Sequence, residues 1–296
     1  MAENVQDIKR RIKSVNSTKQ ITHAMEMVAS AKLRKSRELA ENRYPYFESM
    51  IHSMGRIVER TGKSRNVFMN QREVKKTAYI VITGDKGLAG GYNVNVAKKV
   101  EEHIKDKNNA VIFAVGARGR DHFRNRDYKI QEEFLGISEH PDFFKARQIA
   151  ALVMAGFKNE EFDEVYLVYT RFLSTISQHP YMMQLLPLEA EDLKPIKKEK
   201  IVEVAETKKD LTGMLYEPDP ETLLDYLIPN YVANTLYGAM IESAASEQGA
   251  RRTAMESATT NANDMIDALT LKFNRVRQAA ITQEISEIVS GAEALN

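Results

Sequence analysis

The segment best suited to chemistry is Gly84-Asp85-Lys86-Gly87-Leu88-Ala89-Gly90-Gly91-Tyr92-Asn93. It follows a β-branched run and precedes a helical one, and glycine-rich turns in that place can present backbone amides to phosphate. It is neither a P-loop nor G-x-G-x-x-G, because no Lys-Ser or Lys-Thr follows the last glycine and the glycine spacing differs. The plain alternative is a tight turn off a sheet, with Asn93 or Asn95 capping the next helix. Histidines 23, 52, 103, 122, 140 and 179 show no i, i+4 pair and no metal-like spacing with carboxylates. Glu132–Glu133 and Glu160–Glu161 are adjacent carboxylates of the kind a surface turn solvates, and no G-x-S-x-G elbow is present. No catalytic, metal or cofactor residue is therefore assigned.

The composition narrows the class further. The 296 residues are 43% hydrophobic and 28% charged, the balance of a folded globular chain rather than a disordered one. A formal net charge of +1 excludes a global pull toward nucleic acid, so any basic surface is local. The absence of cysteine removes disulfides, thiolate metal sites and a cysteine nucleophile, and fits a reducing compartment. The start, MAENVQDIKRRIK, has no apolar stretch of the signal-peptide kind. The longest nearly apolar run, 149–157, is about half of the roughly 18 residues a membrane span needs, so no direct insertion is expected.

The elements around the glycine turn fall into two kinds. Residues 1–44 lack glycine and proline, and apolar residues recur at Ile8, Ile12 and Val15, then at Ile21, Met25 and Val28. Spacings of three and four draw one narrow helical stripe, with a phase shift between Val15 and Ile21. At the other end Met255, Ala258, Ala262, Met265, Leu269, Phe273, Val276 and Ala280 form a matching stripe, again with one slip. A helix over 221–289 would be roughly 100 Å long, too long for one small domain to cover. Its natural neighbour is the N-terminal helix, so an antiparallel coiled coil is expected. Pro229 should break or kink that helix.

Between the helices, short strands are expected at 77–83, 110–115 and 164–170, with helices at 95–105, 118–125 and 143–157 and further strands at 181–188 and 200–206. This alternation implies a small, largely parallel sheet. The expected fold is thus α/β: a long coiled coil of the two terminal helices with a small α/β domain between them. Its parts are an N-terminal helix over 1–60, a linker over 61–76, the α/β domain over 77–217 and a C-terminal helix over 218–296.

Charge patterning adds two surfaces. Lys9, Arg10, Arg11 and Lys13 form one basic cluster and Lys32, Arg34, Lys35 and Arg37 another, joined by Arg251 and Arg252 on the opposing helix. Such runs are ordinarily solvated, but single-signed clusters on an exposed coil also suit acidic loops of a surrounding partner. From Ala279 onward the only charged side chains are Glu284, Glu287 and Glu293, among Ile281, Ile285, Ile288 and Val289. An apolar helix end of this kind calls for a sleeve.

Three separated segments carry a family signal. Residues 21–35 (ITHAMEMVASAKLRK) resemble the N-terminal helix of the gamma subunit of F-type ATP synthases. Residues 281–292 (ITQEISEIVSGA), preceded by Arg277-Gln278-Ala279-Ala280, resemble that family's C-terminal signature, and the glycine turn resembles its G-D-K-G-L-x-G-G-Y-N. The resemblance implies a non-catalytic rotor: a coiled coil on the axis of an alpha–beta ring, whose beta subunits do the chemistry. It further implies a globular domain that stands with the epsilon subunit on a proton- or sodium-driven c-ring, at the cytoplasmic face of a bacterial membrane. By the same resemblance Met25, Arg34 and Lys35 match positions near an acidic beta-subunit loop. Arg251, Gln278, Thr282 and Glu284 match positions where the C-terminal helix meets the ring, which would also sheathe Ile285 and Ile288. Lack of cysteine rules out the dithiol switch of chloroplast relatives. A non-rotary coiled-coil tether, or an enzyme using the glycine turn, are the competing readings.

Overall fold

A stretch free of helix breakers favours an uninterrupted helix, and the terminal helices run on even through Pro45 and Pro229. In the computed structural model, which describes residues 5–61, 66–175, 177–189, 193, 217 and 219–293, helix α1 covers Val5–Thr61 and helix α5 covers Pro220–Glu293. The described chain divides into two units. One comprises residues 1–31 and 251–296, the other residues 32–250, so both helices contribute to each.

Of the break or kink expected at Pro229, the break is absent, since α5 continues through it. The helix starts nine residues earlier, where Asp219 accepts from the Thr222 N–H at 2.9 Å and from its hydroxyl at 2.7 Å, with Pro220 in the first helical position. Pro229 removes one backbone hydrogen bond, a loss on the order of 3 kcal/mol in a bare helix. Here Leu224, Ile228, Tyr231 and Val232 are buried on either side of it. Each such side chain contributes about 1.5–3 kcal/mol, and together they outweigh the loss.

In the first unit α1 and α5 run antiparallel, joined at Thr22 and Thr259, whose hydroxyls lie 2.8 Å apart. The seam of α1 passes through Ile8, Ile12, Val15, Lys19, Thr22, Glu26 and Ala29, all buried or half-buried and alternately four and three apart. That is an unbroken heptad, the spacing that keeps a seam facing its partner. The phase slip expected from apolar residues alone is absent. Ile21 and Val28, assigned to the stripe from sequence, are instead 61% and 55% exposed. Polar side chains fill the apparent gap: the half-buried stem of Lys19 can lie along the seam, and Thr22 donates to the Lys19 carbonyl or shares its proton with Thr259. On α5 the seam runs Met255, Thr259, Ala262, Ile266, Leu269, Phe273, Val276 and Ala280, so Ile266 takes the place assigned to the exposed Met265.

The second unit holds a five-stranded sheet. Its strands are β1 (Thr77–Ile82), β2 (Ala110–Val115), β3 (Lys129–Phe134), β4 (Glu164–Phe172) and β5 (Gln178–Leu186), in the order β3-β2-β1-β4-β5. The first four are parallel, with Thr77 opposite both Ala110 and Glu164, and β5 returns antiparallel to β4. Helices α2 (Tyr92–His103), α3 (Ala117–Arg124) and α4 (Phe143–Lys158) make the crossovers. Strand β3 was not anticipated: Lys129, Glu132 and Glu133 are exposed, as an edge strand permits, and they hide the β signal. The strand expected at 200–206 lies outside the described residues.

Side chains alternate across the sheet. Tyr79, Val81, Ile112 and Ala114 face α2 and α3, with Val96, Val100 and Phe123. Ile80, Ile82, Val111 and Phe113 belong to the larger core, shared with α4, with Met50–Val58 of α1 and with Leu224–Met240 of α5. The entry into β1 is pinned by Arg72, which donates to Asp163 at 2.7 Å, to the Phe157 carbonyl at 2.9 Å and to the Phe162 carbonyl, over the Phe157 ring. Burial alone would raise the Asp163 carboxyl, but the N–H groups of Lys75 and Lys76 together with Arg72 outweigh it and hold the group below its usual range.

Candidate functional site

In an open parallel sheet, ligands ordinarily bind beyond the carboxyl ends of the strands, where the strand order reverses. In this sheet that place lies between β1 and β4. It is occupied by α5. The Ser243 hydroxyl accepts from the Thr170 N–H at 3.4 Å, Ser246 donates to the Thr170 carbonyl at 3.1 Å, and the fully buried Glu247 lies against Gly84. A Cβ on Gly84 would sit 2.9 Å from the Glu247 carboxyl carbon, so glycine leaves room for that carboxylate.

The glycine turn is committed within the protein. Asn93 accepts from the Gly84 N–H at 2.7 Å, and Ser138 accepts from the Asp85 N–H at 3.0 Å. The Asp85 carboxylate accepts from the Ala117 N–H at the start of α3, and from the Ser138 N–H and hydroxyl. Burial pushes the Asp85 carboxyl up, yet these donors and the Gly136 N–H hold it below its usual range. The Gly84 and Asp85 amides are therefore spent, and the Asp85 carboxylate already accepts from the first N–H of α3. Leu88 (φ 61°) and Gly90 (φ 54°) form the turn's left-handed corner, with the Leu88 side chain 64% exposed.

The partner-facing residues distribute as follows. In the first unit Met25 is half-buried beside the seam, while Ile21, Met27 and Val28 project from it. Arg251 is only 7% exposed and engages other groups of the chain, so its charge is directed inward. Gln278, Thr282, Glu284, Ile285 and Ile288 are all exposed on successive turns near the end of α5. Thr282 donates to the Gln278 carbonyl at 2.9 Å. At about 100° per residue, Ile281, Ile285, Ile288 and Val289 share one face, which Gln278 continues one turn earlier, with Thr282 at one edge and Glu284 beyond the other. The register through Thr22 and Thr259 brings Val5, the first described residue of α1, level with Val276. The isoleucines and Val289 lie beyond that level and are 47–72% exposed.

In the second unit Arg34 and Lys35 are exposed on α1, Arg34 beside Glu38 at 3.8 Å. Lys32 of the same cluster is turned to Glu139, at 2.9 Å. Further along, Arg43 reaches across Gly238 of α5 to donate to the Asn234 carbonyl at 2.6 Å and lies over the Phe47 ring. Burial lowers the Arg43 pKa, an effect that the nearby Glu242 opposes. Neither Arg43 nor Glu139 stands out in the sequence. Arg43 could have been found by counting sevens from Ile8, whereas nothing local marks Glu139.

Comparison with known proteins bears on these surfaces. The family model described as ATP synthase matches residues 4–295. The chain is 74% identical to the ATP synthase gamma chain, sodium ion specific, of Acetobacterium woodii, and 54% identical to the ATP synthase gamma chain of Alkaliphilus metalliredigens, covering 100% of both chains in each case. Among solved structures it resembles the central stalk/c-ring of Tetrahymena thermophila mitochondrial ATP synthase, at 26% identity and TM-score 0.60, over 80% of this chain and 99% of that one. A chain of the Euglena gracilis mitochondrial OSCP/F1/c-ring structure shares the fold at 18% identity and TM-score 0.67, over 98% of this chain and 94% of that one.

Proposed function

The chain belongs to the ATP synthase gamma-chain family, and we propose that it works as the central-stalk rotor of an ion-driven ATP synthase. In this reading the paired helices stand in a ring of alpha and beta subunits. The α/β domain, with the epsilon subunit, rides on the c-ring at the cytoplasmic face of the bacterial membrane. Ion flow turns the stalk, and the turning coil carries the beta subunits through their nucleotide states. The driving ion is a proton or sodium, and the name of the Acetobacterium relative favours sodium.

The observation that carries this reading is the end of α5. Ile281, Ile285, Ile288 and Val289 stand exposed past the level where α1 begins to pair with it. A row of four large apolar side chains on a lone helix end is costly in water and suits a smooth protein collar. No described helix is long and apolar enough to cross a membrane, so attachment to the membrane would run through partners.

The chain itself would be non-catalytic. Two features support that: α5 fills the crevice where a ligand would lie, and the first amides of the glycine turn have partners inside the fold. Met25, Arg34 and Lys35 would meet an acidic beta-subunit loop, and Gln278, Thr282, Glu284, Ile285 and Ile288 the inner wall of the ring. Arg251 would act there indirectly, by shaping the coil from within. The division into an N-terminal helix, a linker, an α/β domain and a C-terminal helix is part of the same proposal. Weak, screened contacts suit a rotor, because a deep energy well at one angle would stall it.

The test is Met25→Lys in the reconstituted complex, read as ions pumped per ATP hydrolysed. We expect assembly and hydrolysis to persist while pumping falls. Pumping at the wild-type ratio would overturn the role given to Met25, and failure of the wild-type chain to enter an alpha–beta ring would overturn the rotor itself.

A further inference from the structure

Glu139 sits between β3 and α4 and divides its carboxylate between two lysines from distant parts of the chain. Oε2 accepts from Lys32 of α1 at 2.9 Å, and Oε1 accepts from Lys86 of the glycine turn at 3.1 Å. The acid is the inner member, with its side chain 15% exposed against 37% for Lys32 and 70% for Lys86. Its loop has a set position: Gly136 takes φ 73°, and Ser138 both donates to and accepts from Asp85, which in turn holds the start of α3. Glu139 thus stands on a platform tied to the carboxyl end of the sheet.

Helix α1 has a second attachment. Its residues Met50, Met54 and Ile57 enter the main core, and Lys32 lies about 27 Å from Met50 along the helix at the usual rise. A close-packed apolar seat holds the helix by shape, without a directional bond of its own. A charged contact between fixed groups at a second point adds a directional restraint about 27 Å away along the helix.

We propose that Glu139 is a positioning residue which, by gripping Lys32 and Lys86 together, fixes the part of α1 within the second unit to the α/β layer so that this stretch of helix and the sheet turn together. The inference rests on the rotor reading for its consequence but not for the contact itself. Donation from Lys32, ahead of that from Lys86, outweighs burial and holds the Glu139 carboxyl down at about 2. The grip is therefore charged throughout the neutral range.

The competing account is that Lys32 and Lys86 matter by meeting an acidic partner. Two variants separate the accounts: Glu139→Gln, and the reversed set Lys32→Glu, Lys86→Glu, Glu139→Lys. In the isolated full-length chain, amide exchange across residues 135–141 should rise about three- to fivefold in Glu139→Gln, as expected for loss of a partly screened ion pair. It should return toward wild type in the reversed set. In the reconstituted complex, pumping per ATP should fall at least about twofold in Glu139→Gln, the lower range for a weakened coupling contact, and should recover in the reversed set. Unchanged exchange would overturn the grip. Altered exchange with unchanged pumping would overturn its load-bearing role. Reversed charges that fail to restore pumping would mean that the lysines act on an acidic partner. None of these results bears on ring assembly, which tests the rotor reading separately.

Discussion

At the scale of single residues the second unit shows how a small side chain makes room for a large one. Arg43 crosses α5 where Gly238 has no side chain, and a Cβ there would lie 1.9 Å from a guanidinium nitrogen. Gly238→Ala ought to favour the helix by roughly 1 kcal/mol from propensity alone. Here it displaces a half-buried arginine from the Asn234 carbonyl and the Phe47 ring. We expect a net loss of about 1–3 kcal/mol, the usual cost of overpacking, measured by urea unfolding of the full chain. Adding Arg43→Ala should recover part of that loss, because the clash is then gone. A Gly238→Ala chain as stable as wild type would show that the crossing is slack.

At the scale of elements the question is what defines a coiled-coil seam. Read by apolar residues only, α1 seemed to slip between Val15 and Ile21; read by burial, it keeps one heptad through Lys19 and Thr22. A polar residue at a seam costs stability and specifies register, and the Thr22–Thr259 hydroxyl pair is placed to do that. The two readings disagree most simply at neighbouring positions of α5, where Ile266 is half-buried and Met265 is 51% exposed. Ile266→Ala should therefore destabilise the coil by about 1–2 kcal/mol, less than a fully buried isoleucine would. Met265→Ala should lie within about 0.5 kcal/mol of wild type, as for other exposed sites. Thermal unfolding followed by circular dichroism distinguishes them, and equal effects would return the seam to the apolar pattern.

At the scale of the whole molecule the end of α5 is the part most in need of company. Among the described residues, those from Ile281 to Gly291 are exposed throughout. A single helical strand there has only its own hydrogen bonds to resist opening. In the isolated chain residues 281–291 should exchange their amide hydrogens quickly, while Leu167 and Val168 in the sheet remain protected. Within an assembled alpha–beta ring the same segment should slow by at least about tenfold, since a contact worth 1.4 kcal/mol already does this. Strong protection in the isolated chain would mean that the end has found a partner within the chain itself.

How much of this was legible beforehand depended on whether the signal was local. The long helices could be read because breakers are absent over tens of residues, and β1, β2 and β4 because β-branched and aromatic residues cluster there. The family could be read because three motifs keep their order along the chain. Position on a surface was less accessible. Gln278, Thr282, Glu284, Ile285 and Ile288, which the resemblance gave as partner-facing, are exposed, whereas Arg251, grouped with a basic exterior, is buried. Strand β3 was hidden by its charges, since an edge needs no buried face. The continuation of α5 through Pro229 depended on burial of its neighbours, which helix propensity does not contain.

The sequence by itself therefore determined the two long helices, strands β1, β2 and β4, and the family. Only the tertiary structure decided which side chains face inward, that α5 fills the crevice beside the glycine turn, and that Glu139 holds two lysines 107 and 53 residues away. The physical reason is that backbone preference and hydrophobic period act over a few residues. Burial and ion pairing depend on neighbours that folding alone brings together.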